Sequence, residues 1–218
     1  MTGGKTAYGA AGRLVQGAAL LFALLLASPV LAADKLVLAF GDSLTAGYGL
    51  PAAQAFPTRL EAALRRAGVA ARVQNAGVSG DTSAAGRARL AWVLRASKGT
   101  PDLVIVELGA NDMLRGLSPD QTRANLDAIL AELKRRRIPV LLAGMRAAPN
   151  MGRDYAKRFE AVYPDMAKKY GARLYPFFLS GVAAQRGLLQ ADGMHPNPRG
   201  VEIVVKGIAP VVAGMLRK

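Results

Sequence analysis

The 218-residue chain contains no cysteine and a single histidine, His195. Without cysteine it can have no disulfide framework, no thiol nucleophile, no cysteine-ligated zinc or iron–sulfur site and no lipidated terminal cysteine. One imidazole also cannot supply the two histidines of a zinc-binding His-Glu-x-x-His helix. We therefore expect neither a metal nor another cofactor, and any imidazole chemistry must use His195.

Acidic residues are scarce too, since 15 Asp and Glu stand against 29 Lys and Arg and give a net charge of +14. Such a charge commonly indicates nucleic acid or an anionic membrane surface as a partner. The densest basic run, 134–137, ends a predicted helix, as do the pairs 65–66 and 217–218. Cations there complement the helix dipole, and no aromatic residues interleave with them as in single-strand binders.

The charge therefore predicts no nucleic-acid partner and only weak contact with an anionic membrane surface. A basic exported protein that binds nucleic acid or an anionic surface is the alternative from another functional class.

Residues 1–32 have the pattern of a secretory signal peptide. Lys5 and Arg13 precede nine apolar residues, 18–26, and the segment ends in Val30-Leu31-Ala32. The apolar run is shorter than the ~20 residues of a membrane span. We expect cleavage after Ala32 and a periplasmic or secreted protein; the alternative is an uncleaved membrane anchor.

The remaining chain, 33–218, is expected to form one monomeric domain. Removing 32 of the 218 residues, and with them two positive charges of the +14, leaves 186 residues and +12. A chain of that length can bury a substantial core.

Short apolar runs alternate with segments of helical periodicity along this domain. The runs that predict strands are Leu36–Phe40, Ala71–Gln74, Leu103–Leu108, Val140–Met145 and Arg173–Phe177. Strands separated by helices make βαβ units. We therefore predict a single-domain, three-layer α/β/α fold with a flavodoxin-like five-stranded parallel sheet of order 2-1-3-4-5. Pro164 and Pro210 fall inside helical segments, where we expect a kink or a break.

A serine and the histidine lie in settings suited to nucleophilic catalysis. Ser43 follows the first predicted strand on a glycine-preceded turn, beside backbone N–H groups and a helix dipole. Ser79, which follows the second strand, is a weaker candidate because its glycine-bracketed turn fits anion binding equally well. Asp192 lies three residues before His195 in a loop, so its carboxylate can accept the Nδ1–H and leave Nε2 to deprotonate a serine. The alternative is an incidental Asp–His pair in a solvent-exposed loop.

Two more turns after strands offer hydrogen-bond donors for an oxyanion. Gly80 can present a backbone N–H just before a helix, and Asn111 offers a side-chain amide after the third strand. In the order 2-1-3-4-5, strand 1 lies between strands 2 and 3. Gly80 and Asn111 are therefore expected to flank Ser43.

Four blocks of the sequence resemble the SGNH (GDSL) hydrolase family, in the family's order: Gly41-Asp42-Ser43-Leu44, Gly80, Gly109-x-Asn111-Asp112 and Asp192-x-x-His195. Shorter segments at 79–82, 106–109, 112–117 and 176–178 resemble its exported bacterial thioesterase I, lysophospholipase and arylesterase branch. The resemblance implies that Ser43 is the nucleophile, His195 the general base and acid, and Asp192 its orienting partner. It also implies an oxyanion hole formed by the Ser43 and Gly80 N–H groups and the Asn111 amide.

The same resemblance implies a serine esterase that hydrolyses carboxylic esters and thioesters, including lysophospholipids and aryl esters, through an acyl-enzyme. Apolar residues after the third and fourth strands are candidates for binding the acyl chain, unless they pack against their own helices: Met113, Leu114, Leu117, Met151 and Tyr155. Removal of O-acetyl groups from carbohydrate is an alternative activity, since the same triad can perform it.

Overall fold

Five parallel strands form one sheet in the part of the chain that the computed structural model describes, Met1 and residues 34–217. The strands are β1 Lys35–Gly41, β2 Ala71–Gly77, β3 Leu103–Glu107, β4 Val140–Ala143 and β5 Arg173–Tyr175. Their order is β2-β1-β3-β4-β5, and every neighbouring pair is parallel. This confirms the predicted order. The expected signal peptide and its cleavage site lie outside the described residues.

Seven α-helices connect or follow these strands within residues 34–217. They are α1 Ser43–Ala46, α2 Phe56–Arg66, α3 Ser83–Ala96, α4 Ala110–Leu114, α5 Pro119–Arg135, α6 Arg153–Tyr170 and α7 Pro198–Leu216. Helix α2 packs against α7, while α5 packs against α3 and α6. Right-handed crossovers place these two groups on opposite faces of the sheet, which gives the predicted α/β/α layers. None of the helices in this part of the chain is long and apolar enough to cross a membrane.

The centre of the sheet is buried from both sides. Every residue of β3 and β4 is buried, and β1 is buried from its second residue onward. Central parallel strands covered by helices read as continuous apolar runs for this reason. Helix α5 turns its apolar stripe to the same core, with Leu126, Ile129 and Leu133 fully buried.

The helices that contain Pro164 and Pro210 are continuous, so of the two expected outcomes, a kink or a break, the break is wrong. Helix α6 runs through Pro164, and α7 runs through Pro210. Both prolines lie on exposed positions. The carbonyl that loses its helical N–H partner at each proline is therefore on the solvent side, where water can satisfy it.

The carboxyl ends of the five strands all lie at one edge of the sheet. The turns that carry Ser43, Gly80 and Asn111 follow β1, β2 and β3, so they meet at this edge. Because β1 lies between β2 and β3, Ser43 is central among them. Open α/β sheets bind ligands outside the carboxyl ends of their strands, at the point where the strand order reverses, which in this sheet is beside β1.

Candidate active site

The turn after β1 holds Ser43 at the first position of helix α1. Asp42 caps this helix, and its Oδ1 accepts a hydrogen bond from the Leu44 N–H at 3.0 Å. The Asp42 side chain is fully buried, whereas Ser43 is partly exposed. A first-turn N–H has no acceptor within its own helix, so the Ser43 N–H is available to a ligand at the mouth of the sheet edge.

A chain of short contacts joins Ser43, His195 and Asp192. His195 Nε2 lies 2.9 Å from Ser43 Oγ, and His195 Nδ1 lies 2.6 Å from Asp192 Oδ2. With a proton on Nδ1, the imidazole donates to Asp192 and leaves Nε2 to accept from the serine hydroxyl. Of the two serines that the sequence offered, this imidazole contacts Ser43, and Ser79 lines the same cavity nearby.

Backbone donors stabilise the negative charge of Asp192. Its Oδ1 accepts from the N–H of His195 at 3.0 Å and from that of Met194 at 2.9 Å. These backbone hydrogen bonds, together with the His195 ring, lower the pKa of Asp192 to about 2. The carboxylate is therefore ionised at neutral pH and can stabilise an imidazolium.

The loop that carries Asp192 and His195 is tied to the β1 side of the sheet. Gln190 Nε2 donates to the Tyr48 carbonyl at 2.7 Å and to the Pro196 carbonyl at 3.0 Å. The Tyr48 ring lies against the imidazole with 4.6 Å between ring centroids. Tyr48 and Gln190 were not predicted from the sequence, because residues that hold a loop by contacts distant in sequence carry no local pattern.

The expected oxyanion donors lie on either side of Ser43. Gly80 has φ +84° in a turn closed by the hydrogen bond from the Asp81 N–H to the Val78 carbonyl at 3.1 Å. A positive φ at the third turn residue is what glycine supplies. Both Gly80 and Asn111 line the cavity beside Ser43 and His195.

The amide of Asn111 is already hydrogen-bonded in this structure. Its Nδ2 donates to Asp42 Oδ2 at 3.1 Å and to the Asp81 carbonyl at 3.0 Å. An amide nitrogen has two hydrogens, so an oxyanion must share one of them with a protein acceptor. The same two bonds fix the orientation of the amide before a ligand arrives.

A largely apolar cavity of about 540 Å³ opens beside Ser43. Met113 and Leu114 line it, but Leu117, Met151 and Tyr155 do not belong to its lining. Tyr155 instead stacks on Phe159 and donates a hydrogen bond to the Leu117 carbonyl at 2.9 Å. Met151 and Tyr155 are partly buried and pack against the hydrophobic core.

Most of the apolar lining comes from residues that were not among the five candidates, although some of them lie in the expected segment after the fourth strand. They follow β4 and β5 and precede α7: Met145, Ala147, Ala148, Pro149, Phe177, Leu179, Ala183, Ala184, Leu189 and Met194. The available signal was their position after the fourth and fifth strands, because all strand ends reach the same edge of the sheet. No group of three or more candidate metal ligands occurs among residues 34–217.

The fold and the site together define a class of protein. This is an α/β protein with the site of a serine hydrolase, in which a serine, an imidazole and a carboxylate are joined by hydrogen bonds beside an apolar cavity. The sequence model of the GDSL-like lipase/acylhydrolase family matches residues 39–203. The chain belongs to this family and is a hydrolase acting on ester bonds.

Relatives and solved structures agree with the family assignment. The chain is 40% identical over 185 residues to "Esterase TesA" of Pseudomonas aeruginosa, covering 83% of this chain and 91% of the relative. It is 42% identical over 177 residues to "Thioesterase 1/protease 1/lysophospholipase L1" of Escherichia coli K12, covering 81% and 82%. The crystal structure of AlinE4, an SGNH-hydrolase family esterase, superposes with a TM-score of 0.72 at 54% identity, covering 83% of this chain and 96% of that one.

Proposed function

We propose that this protein is a serine esterase that hydrolyses carboxylic esters and thioesters, with Ser43 as nucleophile. The observation that carries the proposal is the pair of hydrogen bonds that joins Ser43 to His195 and His195 to Asp192 at the mouth of the apolar cavity. Ser43 Oγ attacks the acyl carbonyl while Nε2 of His195 takes its proton. Asp192 keeps the imidazole in the required tautomer and stabilises its positive charge.

The remaining steps use the donors and the imidazole in turn. The N–H groups of Ser43 and Gly80 and the Asn111 amide stabilise the oxyanion of the tetrahedral intermediate. His195 then protonates the leaving alcohol or thiol, and an ester of Ser43 remains. Water, deprotonated by His195, attacks this acyl-enzyme and releases the acid with Ser43 restored.

The cavity supports a substrate with an acyl chain longer than acetyl. Its lining is dominated by aliphatic side chains, methionines and Phe177, and an apolar pocket gains affinity from each buried methylene. The names of the similar proteins include esterase, arylesterase, thioesterase and lysophospholipase. Acyl thioesters, lysophospholipids and aryl esters are therefore the substrates to test.

A substrate panel on matched serine variants tests the proposal. Wild type, Ser43→Ala and Ser79→Ala are assayed on aryl esters of increasing chain length, an acyl thioester and a lysophospholipid. We expect Ser43→Ala to fall to the background rate on every substrate. Ser79→Ala, which removes a cavity serine without imidazole contact, should keep turnover of the wild-type order. Full activity of a folded Ser43→Ala protein contradicts the proposal.

We also propose that residues 1–32 are a signal peptide cleaved after Ala32, which delivers the domain to the periplasm or the exterior. The basic start, the short apolar run and the small residues before the expected cleavage site support this proposal. The exported domain is expected to be monomeric and to contact anionic lipid only weakly. Mass spectrometry of the exported protein tests the cleavage, since an intact N-terminus contradicts it.

A further inference from the structure

A carboxyl group that the proposed reaction does not use is buried directly behind the Ser43 turn. Glu107 is the last residue of β3 and pairs in register with Gly41, and it is fully inaccessible to solvent. Its Oε2 accepts hydrogen bonds from the Thr45 hydroxyl at 2.7 Å and from the Asp42 N–H at 3.3 Å. One oxygen from β3 thus holds the residues on both sides of Ser43.

Gly41 leaves the room that this carboxyl occupies. A Cβ at Gly41 would lie 2.6 Å from Glu107 Oε2 and 2.6 Å from the Glu107 carbonyl oxygen, and it would also collide with the Thr45 hydroxyl. Any larger residue at this position would push the carboxyl away from the turn. The close approach of β3 to the turn therefore depends on a glycine next to the nucleophile.

The two oxygens of Glu107 are not equally supported. Oε1 is buried and has no hydrogen-bond partner among the described residues. The neighbouring Asp42, equally buried, accepts from the Leu44 N–H and from Asn111 Nδ2 on its two oxygens. A buried negative charge requires such donors. Between the two carboxyl groups, the negative charge therefore belongs on Asp42 and the proton on Glu107.

The surroundings of the pair agree with this distribution. Burial, and then the nearby Asp42, raise the pKa of Glu107 well above its usual range. Burial also raises the pKa of Asp42, to about 6, against the opposing effect of its hydrogen-bond donors.

No cation or phenol offers Glu107 a hydrogen bond from the elements packed around it. Arg89 of α3 reaches the Gly41 carbonyl at 2.9 Å but forms its ion pair with Asp81. Tyr163 of α6 donates to the Leu108 carbonyl at 3.1 Å, and His195 is occupied by Ser43 and Asp192.

We propose that Glu107 is a positioning residue of the active site, a neutral carboxylic acid that fixes the Ser43 turn from behind through Thr45 and Asp42. Its neutrality also avoids a second negative charge directly beside that of Asp42. A second buried anion there would oppose the charge that develops on the substrate oxygen during attack. The inference rests on the proposed role of Ser43 as nucleophile.

Three substitutions separate the contributions of Glu107. Glu107→Leu removes the hydrogen bonds while keeping a similar side-chain volume, and Glu107→Gln mimics the neutral acid. Thr45→Val removes only the hydroxyl that donates a hydrogen bond to Oε2. Glu132→Gln, on a partly exposed carboxylate of α5 paired with arginines, is the matched control. We measure kcat and KM on one aryl ester, thermal unfolding, and the infrared C=O stretch of protonated carboxylic acids at neutral pH.

We expect Glu107→Leu to lose up to about 10²-fold in kcat with KM unchanged, since a displaced nucleophile impairs the chemical step more than binding. Glu107→Gln should recover most of that loss, and Thr45→Val should show a smaller loss of kcat. Wild type and Glu132→Gln should show the carboxylic-acid band, and Glu107→Gln should lack it.

Any of three results overturns the inference. The first is a wild-type kcat in Glu107→Leu, the second is an equal loss of kcat in Glu107→Gln and Glu107→Leu, and the third is absence of the infrared band from the wild-type protein. If Glu107→Leu does not fold, unchanged kcat in Thr45→Val overturns it instead. The Ser43→Ala protein separates this result from the proposed function. Activity without Ser43 refutes the nucleophile assignment, whereas the infrared band reports the Glu107 proton in that variant without any turnover.

Discussion

The single histidine of the described chain uses both ring nitrogens, and each has one partner. Nδ1 contacts Asp192, three residues earlier in the same loop, and Nε2 contacts Ser43, which is 152 positions away. The first contact was predictable because it is local. The second depended on the strand order, since only a sheet with β1 near its centre brings the loop before α7 to the Ser43 turn.

Asn111 provides the first residue-scale prediction. Asn111→Ala removes the proposed side-chain donor to the oxyanion, so we expect kcat to fall by about 10²–10³ while substrate binding changes much less. Because the substitution also leaves the Asp81 carbonyl without its Nδ2 donor, thermal unfolding is measured beside kcat and KM. Asn150→Ala, which removes an exposed amide, is the control. A kcat within about tenfold of wild type would exclude the amide from the oxyanion hole.

The buried carboxyl of Asp42 gives a prediction about stability and pH. Its pKa is about 6 in the folded protein, against 3.8 for an ordinary aspartate side chain. Between these values the unfolded chain releases this proton and the folded chain retains it, so the free energy of unfolding falls as pH rises. At 1.36 kcal/mol per pKa unit, the contribution of Asp42 is about 3 kcal/mol, fully present below pH 3.8 and lost as pH rises through about 6.

Urea denaturation at a series of pH values checks this contribution. Between pH 4 and pH 7, the free energy of unfolding should decline less steeply in Asp42→Asn than in wild type. The pH dependence that remains in the variant reports the titration of Glu107 and other groups. Asp192 does not interfere, since its lowered pKa of about 2 places its own effect at more acidic pH. Identical pH profiles for the two proteins would show that Asp42 titrates normally.

At the scale of elements, the strands were predictable and their ends were not. All five predicted strands occur, but β2 continues to Gly77 and β4 ends at Ala143, two residues before the predicted end. Apolar composition marks a buried strand, whereas its end is set by where hydrogen bonding to the neighbouring strand stops. The carboxyl group of Glu107 was missed for a related reason. Within a buried apolar strand, a single acid has no sequence pattern that reveals what surrounds it.

Helix α6 offers a prediction about the proline that it accommodates. Pro164→Ala restores the N–H that the Glu160 carbonyl lacks, on an exposed face where alanine meets no obstacle. The helix preference of alanine over proline is about 3 kcal/mol, reduced by about 1 kcal/mol because proline restricts the unfolded chain. We therefore expect a gain of about 2 kcal/mol in the free energy of unfolding, measured in urea.

A proline outside the helices serves as the comparison for α6. Pro51 precedes the 3₁₀ turn Ala52–Gln54 and lies outside the α-helices. Pro51→Ala therefore restores no α-helical hydrogen bond and should not stabilise the protein. Lower stability of Pro164→Ala would show that the helix is adapted to the proline.

The segment after β4 carries a prediction about acyl-chain length. Ala147 is half-buried in the cavity lining, so Ala147→Phe should fill part of the cavity. Steric exclusion of methylenes should lower kcat/KM for long-chain aryl esters by about 10–200-fold while the acetyl ester is spared. Ala161→Phe, on α6 and outside the cavity lining, is the control. An unchanged chain-length profile in Ala147→Phe would show that the acyl chain lies elsewhere.

At the scale of the whole molecule, one group of basic residues lies at the ends of helices. Cations lie in the last turns of α2, α3, α5 and α6: Arg65, Arg66, Arg95, Lys134, Arg135, Lys168 and Lys169. Helix C-termini and strand C-termini lie at opposite edges of a parallel sheet. These seven cations, which are part of the charge that first suggested a nucleic-acid partner, therefore lie at the edge remote from Ser43.

The final prediction separates this basic edge from catalysis. Replacing all four residues of the run Lys134–Arg137 by Gln should leave kcat/KM on a neutral, soluble aryl ester unchanged. The reason is that the field of exposed charges is screened beyond about 10 Å at 0.1 M salt. Co-sedimentation with anionic vesicles should weaken in the variant, and wild-type binding should fall as salt is raised, whereas neutral vesicles should bind neither protein. Loss of esterase activity in the variant would show that the basic run communicates with the site, and salt-independent vesicle binding would indicate that apolar contacts hold the protein to lipid.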